Sequence, residues 1–392
     1  MKNKKYDFIV VGAGILGASL ALELKHSSPR SKIALIDKER EPGQHQTKNN
    51  SGVIHSGIYY KPNSLKATNC IRGYNYLIEF CKKNNIKHRV SGKLIAGRSE
   101  EEEETLDKLL ERSKLNGLKG VKMVNRINKI KEIEPNLNVR AALLVPQTGV
   151  VNFSEVLRCQ IKKFIELGGD LICSTKIKDI NEDYLILNGI KCFYDRLIAT
   201  AGLQSDRLLK TKYKIIPFRG EYYSLTGIKK PYLNSMVYPT PNLDYPFLGV
   251  HFTRCIDNNI EVGPNALLAL AREKYKNKFM FDLKDTASTV FFSGFYKFLV
   301  QNKKFALNEF KKSFFINSFI NEINSYFPNI NSTNIKYKRS GIRAQLCNKN
   351  GTLIDDFVIE KDKNKIFVLN APSPAATASI SIAKSIVKNY VN

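Results

Sequence analysis

Five histidines occur in 392 residues, and two of them, His45 and His55, stand ten residues apart in HQTKNNSGVIHSGIYY. Thr47, Asn49, Asn50, Ser51 and Gly52 between them suit a loop and suit neither a helix nor a strand interior. An imidazole titrates near neutral pH, so one held beside a reacting centre can take up or release a proton. His251, in HFTR, is the alternative base. Arginine grips a carboxylate through two parallel hydrogen bonds. Arg343, in SGIRAQL, is flanked by apolar residues and is expected to point inward, with no acidic residue in its own motif. Arg254, also in HFTR, is the second candidate. Arg219 precedes Glu221 in FRGEYY, where an internal ion pair is expected.

A second constellation opens the chain. In YDFIVVGAGILGASLALEL, Gly12, Gly14 and Gly17 form G-x-G-x-x-G between an apolar run, Phe8 to Val11, and a helical pattern reaching about Leu24. Gly12 allows the tight turn, Gly14 lets the backbone approach a pyrophosphate, and Gly17 lets helix and strand pack closely. The helix start, with Ile15 and Leu16, presents free N–H groups and a positive dipole end to phosphates. Asp37 stands 20 residues after Gly17, at the end of the strand-like KIALIDK, where a carboxylate can hold both ribose hydroxyls. Alone the glycine pattern is weak; with these flanks it marks a dinucleotide site. A further turn with Ala201, Gly202 and Asp206 follows the strand-like CFYDRLIATAG. The closing APSPAATASI reads as a helix capped by Ser373 and started by Pro374, its positive end rich in small residues such as Ala375 and Ala376.

The intervening segments alternate between strand and helix. SLKATNCIRGYNYLIEFCKKN has apolar residues at helical spacing, SGKLIAG reads as a short strand, and EEEETLDKLLERSKLNG as a charged surface helix. VVNFSEVLRCQIKKFIELGG is a helix stopped by Gly168 and Gly169. From Arg219 onward strand-like pieces such as RGEYYSL and PFLGVHFTR precede helical stretches around 286 to 325. No internal repeat or long linker separates autonomous domains.

Composition sets limits. The formal charge of +26 points to an anionic partner, yet lysine, asparagine and isoleucine are abundant together and their codons are all rich in A and T. Base composition therefore accounts for most of the charge, which is spread along the chain and is not interleaved with aromatics as in a nucleic-acid binder. Seven cysteines without a C-x-x-C pair fit neither a disulfide framework nor a zinc site, and no metal is expected. The basic, apolar N-terminus imitates a signal peptide, but Tyr6 and Asp7 break the pattern and no run reaches the length of a membrane span.

The stretches HQTKNNSGVIHSGIYYKPNSLKA, GKLIA, PFRGEYY, HFTR, VGPNA, SGIRAQL and LNAPSPAATASISI occur in order over nearly the whole chain. Through them the sequence resembles the glycine/D-amino-acid oxidase superfamily of FAD enzymes, and within it the L-2-hydroxyglutarate oxidases and dehydrogenases. Between about 270 and 335 the resemblance is thin. It implies an α/β fold: a FAD-binding Rossmann-type domain (1–90, 145–215, 335–392) interleaved with an α+β substrate domain on an antiparallel sheet (91–144, 216–334). It implies FAD, expected to be non-covalent since no attachment site is evident, held by Gly12, Gly14, Ile15, Leu16, Gly17, Asp37, Lys38, His45, Thr47, Asn50, Ser51, Gly52, Ala201, Gly202, Asp206, Pro374, Ala375 and Ala376. Lys93 is expected near the flavin. His55, His251, Arg343 and Arg254 are the expected catalytic residues, and the implied reaction oxidises a 2-hydroxy diacid to 2-oxoglutarate. Electrons would pass to quinone or oxygen. The expected setting is cytoplasmic, with an anionic membrane surface, on its inner face, as the partner the charge allows and no nucleic acid. An amine oxidase or a glycerol-3-phosphate dehydrogenase of the same fold is the alternative enzyme, and an RNA-binding or RNA-modifying flavoprotein the alternative of another class.

Overall fold

The computed structural model describes residues 4–177, 179–228, 232–242, 249–276 and 279–391. Its first sheet is built on the strand Lys4–Val11, whose Ile9, Val10 and Val11 are all buried. Burial on both faces is what a central parallel strand requires. Five parallel strands lie in the order Lys365–Asn370, Ile190–Ala199, Lys4–Val11, Ile33–Ile36 and Asp170–Ile172. Tyr184–Leu187 and Val358–Asp362 add antiparallel neighbours. The sheet thus draws on the start, middle and end of the chain. Helices Ile15–Ser27, Phe153–Glu166 and Ala375–Ile386 cover one face through a core that includes Ala18, Leu20, Ala21, Phe164, Ile382 and Ile386.

The helix Leu65–Lys83 follows the apolar spacing read from the sequence, capped by Ser64, whose hydroxyl accepts the Ala67 N–H. It packs against the closing helix so tightly that a Cβ on Gly73 would stand 2.6 Å from the Ala378 Cα. The closing helix itself begins one residue later than expected. Pro374 occupies the N-cap without a side-chain cap, and Ser373 turns its hydroxyl toward His55 at 3.4 Å.

The second sheet has nine strands. Lys214–Leu225 pairs with Ile335–Cys347 along most of its length, and the order continues through Ile260–Gly263, His251–Arg254, Met236–Pro239, Lys93–Gly97, Ala141–Val145 and Lys122–Val124. An antiparallel sheet is the expectation from the sequence. This one is mixed, because Met236–Pro239 runs parallel to Lys93–Gly97 after a long excursion of the chain. Of the predicted strand PFLGVHFTR, His251–Arg254 is observed, while Pro246 to Leu248 lie outside the described residues. The stretch predicted helical around 286 to 325 forms Leu283–Val290, Ser293–Gln301, Lys303–Phe314 and Ile316–Asn324. A small third sheet, Val53–Ile54, Gly149–Val151 and His88–Val90, anchors the polar loop that carries His45 and His55.

Candidate active site

A cleft of about 1000 Å³ runs from the glycine turn to the second sheet. At one end Gly12 adopts φ +100°, and a Cβ there would lie 2.5 Å from the Thr200 carbonyl oxygen. A Cβ on Gly17 would come within 1.8 Å of the Gly12 oxygen, so turn and helix are in backbone contact. Gly14 is the helix N-cap and supplies no side-chain cap, which leaves the dipole end for an anion. Asp37 uses one carboxylate oxygen for the Ala13 N–H at 2.7 Å and the other for the Glu39 N–H at 2.9 Å. Each oxygen keeps a further lone pair, and the residue lines the cleft.

The polar loop braces itself. Thr47 Oγ1 accepts the Ile15 N–H at 3.0 Å, tying the loop to the helix start. Asn50 donates to the Gln46 and Thr47 carbonyls and accepts the Gly52 N–H. This accounts for the amides in HQTKNNSG, which close backbone groups that no strand or helix satisfies. Gly52 (φ +70°) serves the turn and does not line the cleft, whereas Thr47, Asn50 and Ser51 do. His45 faces Lys38 and Glu39, each 2.9 Å from its Nε2, in a group with Glu273 that borders the cleft near Asp37.

His55, His251 and Arg343 line the cleft where it meets the second sheet, His251 close enough to feel the Arg343 charge and His55 that of His251. The His55 N–H donates to Thr377 Oγ1 of the closing helix, and its ring Nε2 is the group facing Ser373. Burial pushes the His55 imidazole down to about 3, with Lys93, His251 and Lys66 adding to the effect. Burial likewise lowers His251 to about 3, against a hydrogen bond from its Nδ1 to the Gly249 carbonyl at 3.0 Å. That bond places the proton on Nδ1 and leaves Nε2 as an acceptor. His251 also stacks on Tyr238, centroids 4.0 Å apart. Both rings are thus neutral at physiological pH, the state in which an imidazole can take a proton. The neutral pKa expected from the isolated side chain is displaced by burial. Arg343 reaches the cleft from the strand Ile335–Cys347 opposite Phe218.

Ile15, Leu16, Ala201, Gly202, Pro374, Ala375 and Ala376 also line the cleft. Besides Gly52, two more expected site residues, Asp206 and Arg254, do not. Asp206 is sealed beneath the second turn, where Arg272 grips both its oxygens and the Ile215 N–H donates to it. A buried carboxylate needs such partners, and Arg272 lay in the stretch where the sequence offered no guide. Arg254 stands at the far end of its strand from His251, and its carbonyl receives the Arg89 guanidinium. Arg219 makes the expected contact with Glu221, at 3.9 Å, and donates to the Tyr275 carbonyl. Tyr59, Tyr222 and Tyr238 also wall the reacting end, and nothing in the sequence singles them out. Aromatics dispersed over three segments carry no local signal.

A nucleotide cradle on a parallel sheet, opening toward a mixed sheet that presents two neutral histidines and an arginine, defines a flavin oxidoreductase. The chain belongs to the FAD dependent oxidoreductase family (DAO), whose sequence model matches residues 7–388. It is 40% identical to an L-2-hydroxyglutarate dehydrogenase of Indibacter alkaliphilus, over 97% of this chain and 98% of that one. It is 36% identical to the L-2-hydroxyglutarate dehydrogenase of Escherichia coli K12, over 97% and 92%. Among solved structures its fold matches the FAD-bound L-alpha-glycerophosphate oxidase of Mycoplasma pneumoniae with a TM-score of 0.77, at 21% identity over 98% and 94%. The glycine oxidase of Geobacillus kaustophilus matches with 0.72, at 15% identity over 98% and 94%. FAD is the cofactor of this family, and the Gly12–Gly17 cradle, the glycine-started helix and Asp37 fit its pyrophosphate and ribose.

Proposed function

We propose that the protein oxidises L-2-hydroxyglutarate to 2-oxoglutarate. The observation that carries this is the reacting end of the cleft: a base and an arginine at the far end from the nucleotide cradle, in a chain 40% identical to a dehydrogenase of that substrate. When bound, FAD supplies the hydride acceptor. Arg343 holds the C1 carboxylate through its planar fork, and the neutral His55 takes the hydroxyl proton at Nε2. Tyr222 and Tyr238 exclude water around them. The alternative base is His251, whose Nε2 is the free ring nitrogen. Ala375 and Ala376 begin the closing helix and line the cleft, so its positive end would stabilise negative charge on a flavin held there. Asp37, Thr47, Asn50, Ser51, Ala201 and Gly202 shape the nucleotide end. Mixing the purified holoenzyme with L-2-hydroxyglutarate under nitrogen tests the reading: the flavin absorbance bleaches with the L-enantiomer and persists with the D-enantiomer.

For the electron acceptor we propose quinone, reached at an anionic membrane surface. Among the described residues no helix is long and apolar enough to cross a membrane. Exposed apolar side chains are instead concentrated between 279 and 316, among them Phe291 at 87%, Val300 at 74% and Leu283 at 73%. Exposed lysines, Lys284, Lys297, Lys303, Lys304 and Lys311, share these helices. Rings and aliphatic chains that enter the headgroup region, with lysines beside them, are the composition of an interfacial element. The protein is expected to sediment with vesicles containing phosphatidylglycerol at low salt and to be released in part at high salt. Replacing Phe291 and Val300 with serine should weaken binding roughly tenfold, since each large apolar side chain buries about 1.5–3 kcal/mol in full and less at an interface. Protein that stays in the supernatant at low salt contradicts the membrane acceptor and favours oxygen.

A further inference from the structure

Lys93 lies in an interior strand of the second sheet, between Met236 and Val145, and only 1% of it is exposed. Lysine is almost never buried without a partner. Here the ammonium sits over the rings of Tyr59 and Tyr238, 4.0 Å and 4.8 Å from their centroids. Among the described residues no carboxylate pairs with it, and it donates no hydrogen bond. Both rings line the reacting end of the cleft. The Tyr59 hydroxyl is itself buried with no hydrogen-bond partner among the described residues. A buried cation and an unused buried donor therefore stand at one place, beside a cleft that already has Arg343. His251 feels the charge of both Lys93 and Arg343. A structural role for Lys93 is better served by leucine or methionine, which fill the same volume without the cost of burying a charge.

We propose that Lys93 and Tyr59 form the subsite for the second carboxylate of a dicarboxylic substrate, with Arg343 holding the first. The inference rests on the functional reading above and assigns what makes the site choose a diacid over a monoacid. It also gives the buried ammonium its counter-ion, which arrives only with the ligand. The groups facing Lys93 are Tyr59 and His55 from the loop, Cys70 from the helix Leu65–Lys83, Tyr238 from the neighbouring strand and His251 from the strand beyond it. Burial raises the Cys70 thiol to about 12 and the two phenols well above their ordinary range, and holds both imidazoles near 3. None of these changes charge between pH 6 and 9. Lys93 does, because burial pushes it down to about 7, opposed only by Cys70. A carboxylate beside it raises it again. Above pH 7 the empty site is thus mostly neutral at Lys93, and a bound diacid draws a proton onto it.

The test uses the FAD-loaded enzyme with glutarate and butyrate, a five-carbon diacid and a four-carbon monoacid that cannot be oxidised at a hydroxyl. Binding is read from the flavin spectrum and by calorimetry at pH 8 in phosphate and in Tris. The parent is expected to bind glutarate on the order of 100-fold more tightly than butyrate, as a buried charge-assisted contact implies. It should take up close to one proton per glutarate. Lys93→Met should bring the preference below about fivefold and abolish the uptake while leaving butyrate affinity and FAD content unchanged. Tyr59→Phe, which keeps the ring, should lower glutarate affinity about tenfold. If Lys93→Met does not fold, Tyr59→Phe and the parent's proton uptake still decide the matter. A parent that bleaches with L-2-hydroxyglutarate while Lys93→Met keeps the full diacid preference overturns the subsite alone. Equal losses for glutarate and butyrate in Lys93→Met, or no proton uptake by the parent, overturn it as well. A parent that neither prefers glutarate nor reacts with L-2-hydroxyglutarate overturns both readings.

Discussion

Replacing His55 by glutamine lowers the rate of flavin reduction by about 100- to 10,000-fold, the range a positioned general base contributes. Glutamine keeps a polar group near Ser373 but accepts no proton. The effect should fall on reduction and spare FAD content, because the backbone N–H of His55, not its ring, is what ties the loop to Thr377. The pH profile carries a second signature. A histidine held near 3 by burial stays neutral down to pH 4, so kcat/KM should show no acid limb near 6.5 from this group. A dianionic substrate raises its proton affinity once bound, which is when the proton must be received. Stopped-flow reduction under nitrogen from pH 5 to 8 checks both points. If the glutamine variant reduces its flavin as fast as the parent, His55 is structural and His251 becomes the base.

The second large effect belongs to the cradle. Gly17→Ala adds a methyl group 1.8 Å from the Gly12 carbonyl oxygen, a backbone atom that cannot step aside alone. The turn must shift by more than an ångström, and the pyrophosphate seat shifts with it. A forced displacement of this kind costs about 3 kcal/mol, roughly 100-fold in FAD affinity. The variant should purify colourless, with the far-ultraviolet dichroism of the parent. Absorbance at 450 nm after gel filtration measures it; full retention of flavin contradicts the assignment of this turn to the cofactor.

The cradle was legible because its signals are local. Strand, glycine turn, helix and Asp37 follow one another within 37 residues, and each spacing has a steric cause. The loop from His45 to Gly52 was legible as a loop, yet its amides proved to brace their own backbone, and His45 faces Lys38 and Glu39 beside the nucleotide end. Arg343 is expected to point inward from its apolar flanks, and it lines the cleft. Asp206 was misread because its partner, Arg272, is 66 residues away in a segment without recognisable motifs. The two neutral histidines were beyond reach for a similar reason: sequence names an imidazole, and only packing sets its pKa. Lys93 shows the same limit. Its strand was readable from SGKLIAG, but its place between Tyr59 and Tyr238 depends on the parallel pairing of two strands far apart in the chain.

The most direct test of the central claim is anaerobic titration of the FAD-loaded protein with L-2-hydroxyglutarate, followed at 450 nm, with the product identified by mass spectrometry. Stoichiometric bleaching with one 2-oxoglutarate formed per flavin is the predicted result. An unchanged flavin spectrum with L-2-hydroxyglutarate, together with bleaching by glycerol 3-phosphate or an amino acid, would contradict it.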